Sequence, residues 1–159
     1  MMLFCYYGNS QSWSNHQLSN GMSAPCQVSQ ADYDANIDNF LRVLGSNHSD
    51  MYVKLINKKT EQIVREVYIK AGTSFNIRNI PQEKYYVKIA YGKNPQTDEN
   101  CQFRFEQELG YEQPSHVFNY YNRLASRGLV IPCFELNLRR DKEVEKRYAQ
   151  ASSADIGFN

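Results

Sequence analysis

The chain has no lysine or arginine before Arg42, no Cys-x-x-Cys pair, no glycine-rich loop and no apolar run of membrane-spanning length. Each absence removes a class of function. Without cysteines at ligand spacing there is no recognisable thiolate metal motif. The 8 glycines are dispersed, so no loop is built to cradle phosphate. A net charge of +1 makes no global electrostatic case for nucleic acid or an anionic membrane, since either favours a basic surplus. Residues 1–7 lack both the basic start and the long apolar stretch of an export signal. The expectation is a chain with no cofactor and no nucleic-acid partner, touching a membrane only through an upstream anchor.

The four cysteines are Cys5, Cys26, Cys101 and Cys133. Cys101 and Cys133 each open an expected strand. If those strands are antiparallel neighbours, the two thiols lie at opposite ends, out of bonding reach. Cys5 with Cys26 is the disulfide to expect in an oxidising compartment, and buried free thiols are the alternative.

What the chain has in quantity is aromatic: 12 Tyr and 8 Phe among 159 residues. That tilts the class toward β. Residues 51–92 carry the clearest pattern. Met51, Val53 and Leu55 alternate with Tyr52, Lys54 and Ile56. A polar turn at 57–60 precedes a second run, with Ile63, Val67 and Ile69 on one face, broken by Arg65. Phe75 and Ile77 mark a short third strand. Asn79-Ile80-Pro81-Gln82 then turns the chain into a fourth, where Tyr85, Val87, Ile89 and Tyr91 share a face. Period two in β-branched and aromatic residues is the mark of strands with one buried side.

Outside that stretch, residues 1–34 read as a mostly irregular arm, 36–43 as a first strand, 93–100 as a polar loop and 101–109 as a strand with Phe103 and Phe105 inward. Residues 110–128 form the longest interval between strands, and 133–139 form a last strand with Phe134, Leu136 and Leu138 on one face. The tail, 141–159, is open between a short helix over 142–151 and a return strand over 144–149 followed by a helical turn capped by Ser152 or Ser153. A helix there has only Val144, Tyr148 and Ala151 as an apolar face and would dock weakly. The whole reads as one domain, an all-β antiparallel sandwich of about seven strands over residues 36–140. Its expected core is Val53, Leu55, Val67, Ile69, Phe75, Ile77, Tyr85, Val87, Ile89, Phe103, Phe105, Leu136 and Leu138.

Residues 52–93 resemble the carboxypeptidase regulatory-like, transthyretin-like β-sandwich domains, closest to a Bacteroidetes-type group of small proteins. The residues that carry the resemblance are Val64-Arg65, Tyr68 to Phe75, Asn79-Ile80-Pro81, Tyr85-Tyr86-Val87-Lys88 and Tyr91-Gly92-Lys93. Glu83 stands where such turns carry glycine, and a left-handed backbone there would be strained. The resemblance implies an accessory or interaction module without catalytic residues of its own. It also implies a cell-envelope setting, periplasmic or membrane-anchored.

No constellation announces chemistry. His16, His48 and His116 fall in three different expected loops, with no pair at metal spacing. Tyr52, Tyr68 and Tyr86 fall on the outward phase of their strands with Lys54, Lys70 and Lys88, and as neighbours would form an exposed aromatic face for a protein or glycan. Cross-strand tyrosines that simply stabilise the sheet are the bland alternative. His116, Tyr120 and Tyr121 lie in the long 110–128 interval, where scaffolded loops suit recognition. The expected function is a non-catalytic binding or interaction module. The alternative is a small hydrolase or metal-dependent enzyme with its site in the 110–128 loop, for which His116 would have to meet a carboxylate or thiol.

Overall fold

The structure is a computed structural model that describes residues 12–24, 31–149, 152 and 154–158. Its strands are β1 (Ser14–Asn15), β2 (Phe40–Leu44), β3 (Asp50–Asn57), β4 (Ile63–Ile69), β5 (Ser74–Arg78), β6 (Lys84–Thr97), β7 (Phe103–Glu112), β8 (Phe118–Asn119), β9 (Arg123–Ala125), β10 (Gly128–Val130) and β11 (Phe134–Asn137). One helix, α1 (Lys142–Tyr148), follows them. The fold is all-β and sandwich-like. The strands outnumber the seven or so expected because four short ones, β1, β8, β9 and β10, form where the sequence reads as arm or loop.

The larger sheet is organised around β6. One edge of β6 pairs antiparallel with β3, which in turn pairs with β4; β1 continues that edge opposite Gln96 and Thr97. The other edge takes β7 and β8. Residues 93–97, expected as loop, are thus strand, because β7 pairs along them and β1 flanks Gln96 and Thr97 on the other side. The smaller sheet has β2 at its centre, antiparallel to β5 and parallel to β11.

Between the two sheets lies the main core. Met51, Val53, Leu55, Val67, Ile69, Tyr85, Val87, Ile89 and Tyr91 face Leu41, Val43, Ile77 and Leu136 across it. Phe75 is only partly buried. Phe103 and Phe105 belong elsewhere. The larger sheet buries its other face too, with Tyr52, Tyr68, Ala90, Phe103, Phe105, Tyr111, Ala24 and Phe158 in a second core. β7 contributes Phe103, Phe105 and Tyr111 to that second core, and its pairing with β6 shifts register between Tyr91 and Gly92.

Arg65, the break in the β4 pattern, is buried. The pairing of β3 with β4 shifts register after Leu55, which leaves Val64 as an extra residue. The guanidinium of Arg65 donates to the carbonyls of Asp32, Val64 (2.9 Å) and Asn79 (3.3 Å) and lies 3.4 Å from the ring centroid of Tyr33. A charge at this position is tolerated because backbone oxygens satisfy it. The left-handed residue of the Asn79-Ile80-Pro81 turn is Asn79 (φ 55°), a residue type that accepts it. Glu83 is not among the described residues with positive φ.

The tail is helical first, then turned. α1 does not dock on its expected apolar face, since Tyr148 is 58% exposed while Glu145 is buried. Gly110 (φ 134°) sits against the end of α1, where a side chain would collide with the Ala149 carbonyl. Beyond it, Ser152 and Asp155 cap each other: Asp155 Oδ2 accepts from the Ser152 amide at 2.8 Å, and Ser152 Oγ accepts from the Asp155 amide at 3.2 Å. Among the described residues no helix is long and apolar enough to cross a membrane.

Candidate functional site

The outer face of the larger sheet, expected as an exposed aromatic surface, is covered. Tyr52 and Tyr68 are 0% and 5% exposed. Two segments lie over them. From the arm, Gly21 donates its amide to the Tyr68 carbonyl (2.7 Å), the Tyr68 amide donates to Met22 (2.7 Å), and the Ala24 amide donates to the Tyr52 hydroxyl (3.0 Å). Gly21 is positive in φ (87°) and lies so close to the Phe75 ring that a Cβ would strike it. Residues 20–24 of the arm, without regular secondary structure, are thus bonded along the edge of β4.

From the other end come residues 156–158. Phe158 packs against Tyr111 with ring centroids 5.1 Å apart. Lys54 donates to the Phe158 carbonyl at 2.6 Å and Lys88 to the Gly157 carbonyl at 3.0 Å. These two lysines, expected to keep an outer face in water, instead hold the tail down. Lys54 is buried, 3.7 Å from Glu66 in the next strand. Burial pulls its pKa below the ordinary lysine value, and Glu66 opposes that shift. Burial likewise pushes the Tyr52 and Tyr68 hydroxyls up, with Glu66 adding to the first and Asp50 to the second.

The other expected contact residues separate. Tyr86 is half-buried and donates to the Glu61 carboxylate; burial first, then that bond, raises its pKa to about 12. Tyr120 is buried, its hydroxyl on the Phe40 carbonyl at 2.9 Å and its ring edge-on to Tyr85 and Phe134. It is core, not contact surface. Tyr121 is exposed, with its hydroxyl 2.6 Å from Glu83. His116 is exposed and shares a cleft of about 330 Å³ with Glu61 and Tyr86. Of the candidate residues, then, Tyr52 and Tyr68 are cross-strand partners beneath the arm and the tail, while Tyr86 and His116 share the exposed cleft, where the Glu61 carboxylate is engaged by Tyr86.

Two polar clusters tie the tail to the sandwich. Arg140 donates both ends of its guanidinium to Glu112 (2.9 Å each), which also accepts from the Tyr91 hydroxyl at 2.7 Å. Glu145 of α1 accepts from both Ser46 and Ser49 of the turn between β2 and β3, and all three are buried. Ser46 Oγ in turn accepts from the amides of His48 (3.0 Å) and Ser49 (3.1 Å). Among the described residues no group of three His, Cys, Asp or Glu side chains is placed to hold a metal. Cys101 is disulfide-bonded and Cys133 is a free, exposed thiol, so the two are not joined to each other. The Cys5–Cys26 pairing falls outside the described residues.

A cleft of about 720 Å³ lies where the arm crosses the sheet, lined by His16, Asp50, Lys70 and Glu106 among others. Three of its titratable groups already have partners. Asp50 accepts from Tyr68 (2.7 Å) and the Ala71 amide (2.9 Å), Glu106 from Asn94 (2.8 Å), and His16 bonds Thr97 at 2.5 Å.

The feature that sequence reasoning missed is the β9–β10 hairpin. It is a two-stranded sheet of its own, paired with neither larger sheet. Leu124 stands directly opposite Leu129. Their exposures are 86% and 58%. Val117, Tyr121 and Ile131, also exposed, flank it in sequence. The signal was present: Leu124 and Leu129 bracket Ala125-Ser126-Arg127-Gly128, with a glycine just past a two-residue turn. Only the length of the interval drew attention to this region.

Compared with protein-family models, with curated proteins and with solved structures, the chain matches none.

Proposed function

We propose that the protein is a non-catalytic interaction module whose contact element is the β9–β10 hairpin. The observation that carries this reading is the cross-strand pair Leu124 and Leu129, held out in water by a hairpin that joins neither sheet. A lone two-stranded hairpin is marginal in water, and a third strand or a packed face stabilises it. Exposed large apolar side chains in a group mark partner surfaces. The resemblance to transthyretin-like accessory domains, and the cell-envelope setting that goes with it, agree with this reading and remain part of the proposal. The buried titratable groups Glu112, Glu145 and Lys54, with Arg140, are engaged in bonds that hold the tail to the sandwich.

The test is capture of a partner from cells of the source, by the parent chain and by a Leu124→Ser, Leu129→Ser double variant. The reading expects an unchanged melting temperature and loss of the partner. Equal capture by both chains, or a hydrolytic activity that disappears in His116→Ala, would overturn it.

A further inference from the structure

The geometry points to the kind of partner: an extended segment of another protein, alternating acidic and apolar residues, that adds as a third strand to the β9–β10 hairpin. This rests on the hairpin being the contact element and goes on to name what it takes.

Backbone directions come first. Ala125 pairs with Gly128, closing a two-residue turn. In an antiparallel ladder, paired residues alternate between bonded and non-bonded positions, so the next pair, Leu124 and Leu129, turns its peptide groups outward. No hydrogen bond of the described residues joins them to another segment. Both edges of the hairpin thus offer unpaired donors and acceptors beside an exposed leucine. Main-chain bonding with alternate side-chain contacts is the recognition mode of strand addition.

Charge then selects among occupants. Residues 113–134 contain Arg123, Arg127 and His116 and no acidic residue. Glu83, at the root of the hairpin, has a carboxylate oxygen already accepting from Tyr121. A second copy would set these arginines against their own kind, and like charges disfavour that contact. A lipid surface would welcome the arginines, but hydrocarbon offers nothing to the open strand edges on either side of the leucines. An acidic, apolar-alternating strand satisfies all three features at once.

The probe is a blocked peptide of alternating glutamate and valine, titrated into the full chain with amide shifts read by NMR. Alternating lysine and valine is the control. The glutamate peptide should move the Leu124 and Leu129 amides, and the lysine peptide should leave them in place. Arg123→Glu with Arg127→Glu should weaken the glutamate peptide by roughly tenfold or more. Equal binding of the two peptides overturns the proposal, and so does no shift from either at millimolar concentration. Co-sedimentation with phosphatidylserine vesicles, or dimers lost in Leu124→Ser, would assign the surface to lipid or to a second copy instead. Should the peptide fail while the double serine variant still loses its cellular partner, the module reading stands and only the strand-addition mode falls.

Discussion

Arg140 aims both ends of its guanidinium at one carboxylate, and that carboxylate also takes the Tyr91 hydroxyl from inside the core. Burial works against the arginine's charge, yet the Glu112 bonds more than offset it and leave the pKa raised. Removing the cation strands a buried carboxylate. Arg140→Ala is therefore expected to cost about 2 kcal/mol or more in urea unfolding; a change near zero would mean that water already reaches Glu112. The tyrosines give a pH dependence. Burial raises the hydroxyls of Tyr85 and Tyr86 to about 12 and those of Tyr52, Tyr68, Tyr91 and Tyr120 further. In the unfolded chain each releases its proton near the ordinary value of 10.0. Above that pH the unfolded state binds fewer protons than the folded one, so stability present below pH 10 falls as pH rises toward 12. The melting temperature should drop between neutral pH and the middle of that window. A flat profile would contradict the burial of these hydroxyls.

At the scale of elements, the tail is the piece that closes the outer face. Over that face residues 156–158 are held by the Phe158 ring, by Ile156 and by two carbonyls that accept from Lys54 and Lys88. Phe158→Ala should cost about 3 kcal/mol and speed hydrogen exchange at Tyr52 and Tyr68. Loss of stability without faster exchange there would place the effect elsewhere. The strands themselves were legible because alternation reports which residues share a face: Val53, Leu55, Val67, Ile69, Val87 and Ile89 lie in the core as their spacing indicates. Alternation does not report what covers the opposite face. Tyr52, Lys54 and Tyr68 read as solvent-facing, since nothing local in the sequence tells that residues 20–24 and 156–158 return from far away to bury them. The helix over the tail was one of the two expected forms, but its docking face differs from the expected one for a related reason. Hydrophobic pattern is blind to a carboxylate that docks by hydrogen bonds, as Glu145 does on Ser46 and Ser49.

For the molecule as a whole, the sandwich has both faces of its larger sheet buried, and the most exposed large apolar side chain among the described residues, Leu124, stands on the β9–β10 hairpin. The central claim is that this hairpin is free in the isolated protein, contributing to contact with a partner and not to the fold. Substituting Leu124→Glu and Leu129→Glu together and measuring the unfolding free energy in urea tests it most directly. A hairpin free in water predicts a change within about 0.5 kcal/mol of the parent chain, as for surface positions that pack against nothing. A loss of several kcal/mol, on the order of what a buried leucine contributes, would show that the leucines pack against the body of the protein, and would contradict the account.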